Sequence, residues 1–227
     1  MPADTLPPIY DALLAAFGHR HWWPAETAFE TMIGAILTQN VSWTNAARAI
    51  RNLEDAGMLD PHLLAGAGAD EIARRIVPSR FYNQKAERVR EFSRVYLEEF
   101  SADPAVMAAV ETGTLRERLL AVRGLGKETV DSILLYACGK PVFVVDAYTR
   151  RIFSRYGLLP PDASYDRMQR LFMENLPPDA ALFNDYHAQV VFLGNTVCKK
   201  SPLCDRCPIR AVNGQVRCAG VPPHFFL

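Results

Sequence analysis

Neither sign of charge is in excess in this 227-residue chain: Lys and Arg together number 25, and so do Asp and Glu. A nucleic-acid partner is therefore not announced by net charge, which often runs positive in proteins that bind one. Also missing is any apolar run near the roughly 20 residues needed to cross a bilayer, or a basic N-terminal stretch followed by an apolar core. A cytoplasmic protein with no membrane partner is expected. Repeats, low-complexity tracts and long linkers are absent, and residues 140–145 form the only strand-like run, short enough to be a buried connector. The cysteines are not spread as a secreted disulfide framework would be, because four of the five fall between 198 and 218. What is left is an ordinary globular composition, 49% hydrophobic and ample for a buried core.

Helical periodicity fills the chain. Ile9, Leu13, Leu14 and Phe17 mark a first helix that stops at Gly18, and Thr27 with Glu30 reads as a capping box ahead of a helix with Phe29, Met32, Ile33, Ile36 and Leu37 on one buried stripe. A polar break, Thr38-Gln39-Asn40-Val41-Ser42-Trp43, precedes a helix over 45–56. Further helices are expected at 69–76, 84–99, 104–110, 114–122, 128–138, 147–156, 164–176 and 180–196, separated by Gly, Pro, Asn or Asp. The fold class is all-α.

Three features carry chemistry. Between two of these helices stands Gly124-Leu125-Gly126-Lys127, where glycines one residue apart permit the positive φ of a tight hairpin. Backbone N–H groups there and the N-terminus of the next helix would point outward at one phosphate, which suits a helix-hairpin-helix gripping a nucleic-acid backbone; a plain glycine turn is the other reading. Asp146 stands at an N-cap position. Cys198, Cys204, Cys207 and Cys218, with five, two and ten residues between them, could hold a zinc ion or a four-iron cluster, and spacing does not separate the two. Around them Lys199, Lys200, Arg206, Arg210 and Arg217 outnumber Asp205, which favours a polyanion at that face. Cys138, mid-helix, reads as a buried structural thiol.

The hairpin, Val145-Asp146, Gly194 ahead of Cys198, the terminal cysteines, Ile36-Leu37-Thr38-Gln39-Asn40 and Phe81-Tyr82-Asn83-Gln84-Lys85-Ala86 together resemble the endonuclease III superfamily of DNA glycosylases over residues 25–218. The resemblance implies two helical domains, 28–140 with the helix-hairpin-helix and 1–27 joined to 141–227 around a [4Fe-4S] cluster, with DNA and a flipped base in a cleft between. The cysteine intervals depart from the family's commoner six, two and five. Family members that also cut the backbone carry a lysine at the position of Glu128, and a carboxylate forms no imine, so a hydrolase with weak or absent lyase activity is implied. Glu128 is accordingly placed with the catalytic residues; its alternative reading is an acid in a helix's first turn. Asp146 matches the catalytic aspartate, whose charge would stabilise an oxocarbenium-like sugar.

Trp22, Trp23 and Trp43 would form the base pocket, where an aromatic face attracts a cationic alkylated purine by ~2 kcal/mol or more; ordinary core is their alternative. These residues, with Glu128, resemble the 3-methyladenine glycosylase branch, although its best-known form lacks the cluster cysteines. Phe81 and Gln39 or Asn40, with Asn40 preferred, correspond to residues that fill the hole left by the flipped base. The expected function is a monomeric base-excision glycosylase acting on duplex DNA with a damaged base, an alkylated purine. Its rivals are a glycosylase for oxidised pyrimidines or mismatched thymine and uracil, and a DNA-structure-binding protein without catalysis.

Overall fold

The structure, a computed structural model, describes residues 4–212, 215, 216 and 218. Arg217 and the Phe225-Phe226-Leu227 tail lie outside them. Twelve α-helices are present among the described residues, and the only strands there are the two-residue antiparallel pair β1 (Ala211–Val212) and β2 (Gln215–Val216). The fold is all-α, and no helix of the described residues is long and apolar enough to cross a membrane. The chain divides into two compact units, Trp23–Lys140 and Met1–Trp22 with Pro141–Leu227.

The Trp23–Lys140 unit is built around α2 (Ala28–Leu37). Thr27 Oγ1 accepts from Glu30 N–H at 3.0 Å, while Glu30 Oε2 accepts from Glu26 N–H at 2.7 Å, so the capping box closes one residue earlier than the sequence pattern implied. A single buried stripe was too narrow an expectation for α2, because Thr31, Gly34 and Ala35 are buried as well. Its neighbours explain this: α3 (Trp43–Asp55), α6 (Tyr82–Phe100), α9 (Lys127–Ser132) and the π-helical turn Ile133–Ala137 all pack on it. Gly34 admits Trp23, whose Cζ2 lies 3.0 Å from where a Cβ would stand.

A short helix the periodicity missed, α4 (Pro61–Gly66), is announced by Asp60-Pro61. Asp60 accepts from His62 N–H and Leu63 N–H at 2.9 and 3.0 Å, and Pro61 occupies the first turn where no amide is needed. With α5 (Ala69–Arg75), α4 covers α6, and α7 (Pro104–Ala109) and α8 (Thr112–Ala121) lead to the hairpin. The helix expected over 128–138 is shorter: α9 gives way to the π-helical turn, and Cys138 caps that turn rather than sitting mid-helix. Burial nonetheless pushes the Cys138 thiol up to about 11.

In the unit of the chain ends, α1 (Leu6–Phe17), α10 (Ala147–Arg155), α11 (Tyr165–Met173) and α12 (Ala180–Thr196) enclose an aromatic core. Residues 140–145 form no strand but an extended connector, with Val142, Phe143, Val144 and Val145 buried. Phe143 stacks on Phe172 with ring centroids 3.8 Å apart and meets Phe183 and Tyr186 edge-on. That anchor fixes the backbone just ahead of Asp146. Gly194 lets α12 approach α10, since a Cβ there would lie within 2.9 Å of Tyr148 Cγ and Cβ.

Candidate functional site

Each unit carries its own share of the residues singled out from the sequence. In the Trp23–Lys140 unit, Val122 O accepts from Leu125 N–H at 3.1 Å to close the turn between α8 and α9. Gly124 takes φ +87°, and a Cβ there would collide with the Arg88 side chain, so glycine is required twice over. Gly126 differs: at φ −95° it is the N-cap of α9, and a Cβ would meet nothing. The expectation of positive φ therefore holds for Gly124 alone, and Gly126 leaves exposed backbone open to whatever approaches from outside. Leu125 is 6% exposed, so its side chain plugs the hairpin inward and its N–H is already spent. Lys127 is half-buried, Glu128 is exposed in the first turn of α9, and Asp131, 0% exposed, takes a bidentate pair from Arg116 at 2.6 and 3.1 Å that braces α8 against α9.

Gln39 joins the α2 exit to this hairpin. Its Nε2 donates to Thr129 Oγ1 at 2.8 Å and toward Gly124 O at 3.4 Å, while its Oε1 accepts from Arg88 Nη1. With both ends of the amide engaged, Gln39 is a structural tie, and the adjacent Asn40, exposed at φ +54°, is the residue of the pair presented to solvent. Phe81 is 59% exposed and stands at the N-cap of α6 at φ 45°, next to Arg80 at φ 56°. Two successive side-chain-bearing residues in this region, one of them bulky and aromatic, are strained backbone of the kind that persists at functional sites.

Lys85 was not identified as a site residue, although it lies inside the Phe81-Tyr82-Asn83-Gln84-Lys85-Ala86 segment. It is 1% exposed, and its Nζ donates to Leu37 O at 2.7 Å and Ser79 O at 2.5 Å. Burial, then Arg88 and Arg80, lower its pKa to about 8. Trp23 and Trp43 meet edge to face at 5.0 Å, and Tyr136, which the sequence reading passed over, joins Trp23 at 5.3 Å. Trp22, half-buried, falls in the other unit.

There Asp146 caps α10. Its Oδ1 accepts from Thr149 N–H at 2.7 Å and from Thr149 Oγ1–H at 2.8 Å, which holds the carboxylate in one orientation. Its Oδ2 lies 3.7 Å from Nε2 of His187, a buried residue of α12 that the sequence reading passed over. Burial lowers the His187 pKa, with the nearby Asp146 carboxylate opposing.

Further down α10, Arg151 donates to Cys198 O at 2.8 Å and Gly194 O at 2.9 Å, and the buried Arg155 donates to Lys199 O at 2.6 Å and Lys200 O at 3.0 Å. Arg155 Nη1 also reaches Cys198 Sγ at 3.5 Å, and Cys218 Sγ lies 3.7 Å from Arg155 O. Cys204 opens the short turn Cys204–Arg206, with Cys207 next. None of the four is in a disulfide. Burial pushes the Cys207 thiol up to about 11, with Cys218, Cys198 and Cys204 adding to the rise. Among the described residues no three His, Cys, Asp or Glu side chains close on a single ion. By chemistry the donor set, four free thiols beside a buried guanidinium, fits an anionic thiolate-bound group.

The family model for HhH-GPD superfamily base excision DNA repair proteins matches residues 33–178. A candidate DNA repair glycosylase of Methanocaldococcus jannaschii is 43% identical over 203 residues, 89% of this chain and 92% of that one. Endonuclease III of Thermotoga maritima is 28% identical over 183 residues, 79% of each. Among solved structures, H. pylori 3-methyladenine DNA glycosylase bound to 1,N6-ethenoadenine superposes with a TM-score of 0.73 at 28% identity, over 85% of this chain and 96% of that one. A trapped endonuclease III–DNA covalent intermediate, at 20% identity and TM-score 0.78 over 91% and 92%, shares the fold.

Proposed function

The chain belongs to the HhH-GPD superfamily of base excision DNA repair proteins and is a DNA glycosylase, and from that footing we propose that it excises alkylated purines such as 3-methyladenine by hydrolysis, leaving the DNA backbone uncut. The observation that carries the reading is the placement of Asp146, with Oδ1 fixed by Thr149 and Oδ2 3.7 Å from His187 Nε2. A fixed carboxylate stabilises the positive charge that builds on the sugar only as the glycosidic bond breaks, and it can orient the attacking water. Glu128 stands where an imine-forming lysine would act, so no Schiff base forms through that position. Trp22, Trp23 and Trp43 supply aromatic faces for a cationic base, and a methylated purine is a good enough leaving group to need no strong general acid. The exposed backbone at Gly126 and Lys127 receives a phosphate, while Phe81 and Asn40 enter the stack vacated by the flipped nucleotide.

Cys198, Cys204, Cys207 and Cys218 would hold a [4Fe-4S] cluster, which would cross-link the 198–218 segment through four thiolates. Iron and sulfide analysis of anaerobically purified protein tests this, and stoichiometric zinc overturns it.

The deciding experiment is base release from duplex DNA treated with a methylating agent. Free methylpurine is expected, with strand breaks only after alkali and no borohydride-trapped adduct. Asp146→Asn is expected to lose base release by at least about 100-fold while still binding duplex. Breaks without alkali would overturn the reading of Glu128, comparable turnover in the variant would overturn that of Asp146, and release of oxidised pyrimidines or mismatched thymine in place of methylpurine would change the lesion.

A further inference from the structure

Lys85 and Arg88 lie one turn apart on the same face of α6 and reach three segments that are distant in sequence. The Lys85 ammonium bonds Leu37 O, the last carbonyl of α2, and Ser79 O, in the 3-10 turn Val77–Ser79 just ahead of Arg80 and Phe81. Arg88 holds Gln39 Oε1, and Gln39 Nε2 in turn holds Thr129 Oγ1 and Gly124 O. The same Arg88 stem fills the space that a Cβ on Gly124 would need. Two sets of hydrogen bonds from one face of α6 thus tie the turn before Phe81 and the α2 exit before Asn40 to that helix, and the α2 exit to the glycine hairpin. A cation buried at 1% exposure with two carbonyl partners is an expensive way to secure backbone unless the register of that backbone matters.

We propose that Lys85 and Arg88 are positioning residues that hold Asn40 and Phe81 in register with the Gly124–Lys127 hairpin, so that gripping the DNA backbone and filling the base stack occur together. The proposal rests on the reading of Asn40 and Phe81 as the residues that enter the duplex. Neither Lys85 nor Arg88 touches the reacting atoms in this role.

The test uses the full chain and a duplex carrying 2-aminopurine beside a tetrahydrofuran abasic analogue, which reports unstacking without any base release. Lys85→Met and Arg88→Met are expected to bind this duplex, by fluorescence anisotropy, within about threefold of wild type, yet to lose at least fivefold of the 2-aminopurine fluorescence rise. Arg88→Lys, which can still donate to Gln39, should restore at least half of the rise. Phe81→Ala and Asn40→Ala set the scale by losing the rise outright. A folded Lys85→Met or Arg88→Met with a wild-type rise, while Phe81→Ala loses it, overturns the proposal and leaves the inserting residues standing. A wild-type rise in both Phe81→Ala and Asn40→Ala overturns the underlying reading and the proposal with it. Should Lys85→Met fail to fold by circular dichroism, the half-buried Arg88 decides alone.

Discussion

In α6, Lys85 and Arg88 gather segments that lie far apart in the chain; in α10, Arg151 and Arg155 hold carbonyls belonging to one short stretch, Gly194, Cys198, Lys199 and Lys200. The chemistry differs to match. A guanidinium offers five donors in a fixed fork and stays charged at every pH, so Arg155 can bridge adjacent carbonyls and sit beside a thiol permanently. An ammonium is a point charge whose three donors converge, which suits Lys85 to pinning two carbonyls at one spot, but burial has brought its pKa down to about 8. One anchor is unconditional and local, the other conditional and long-range. A residue can therefore be placed by the helix it starts, as Asp146 is by α10, or by bonds made from elsewhere in the chain, the role proposed above for Lys85 and Arg88 toward Asn40 and Phe81.

The sharpest way to break this contrast is Arg155→Met. Its loss leaves the carbonyls of Lys199 and Lys200 without their buried donor and should cost ~2–4 kcal/mol in urea unfolding, along with any metal retained by the cysteines. An unchanged midpoint would mean that the cysteine segment is held by something else. Next come the two glycines. Gly124→Ala, at positive φ and against Arg88, should destabilise by ~1–3 kcal/mol. Gly126→Ala should leave stability within ~1 kcal/mol while weakening duplex binding; equal thermal shifts in both would erase the distinction drawn between them.

A smaller effect separates the two anchors by pH. The folded pKa of Lys85, about 8, lies below the ordinary lysine value of 10.5, so the unfolded chain binds more protons between those values. This group's contribution therefore rises as pH increases from about 8 to 10.5, by at most ~3 kcal/mol, and Lys85→Met should flatten that part of the urea-midpoint curve. The smallest effect belongs to His187, whose folded pKa is below 6.5: stability is complete above that value and declines as pH falls beneath it, and His187→Gln should remove part of the decline.

Much of this was legible in the residue order. Periodicity and punctuation located the helices, Thr27 and Asp146 marked their caps, and Gly124 marked the hairpin. The failures are instructive. α4 was overlooked although Asp60-Pro61 announces it, because six residues give too few turns for a periodic signal. Gln39 and Asn40 are both amides, so residue type alone supported the preference for Asn40 only weakly; the partners of Gln39, at Arg88, Thr129 and Gly124, show that Gln39 is tied into the fold while Asn40 is exposed. The two glycines of the hairpin look equivalent in sequence and are not, because φ is a property of the chain path.

Local chemistry, then, dictated the all-α class, the caps and the turn at 124–126, since each depends on residues within a turn or so of one another. Tertiary packing alone decided that α2 is buried nearly all round, that Lys85 is enclosed and Phe81 exposed, and that His187 faces Asp146. Burial and hydrogen-bond partners come from residues tens of positions away, and desolvation acts on a side chain only after those residues have closed around it.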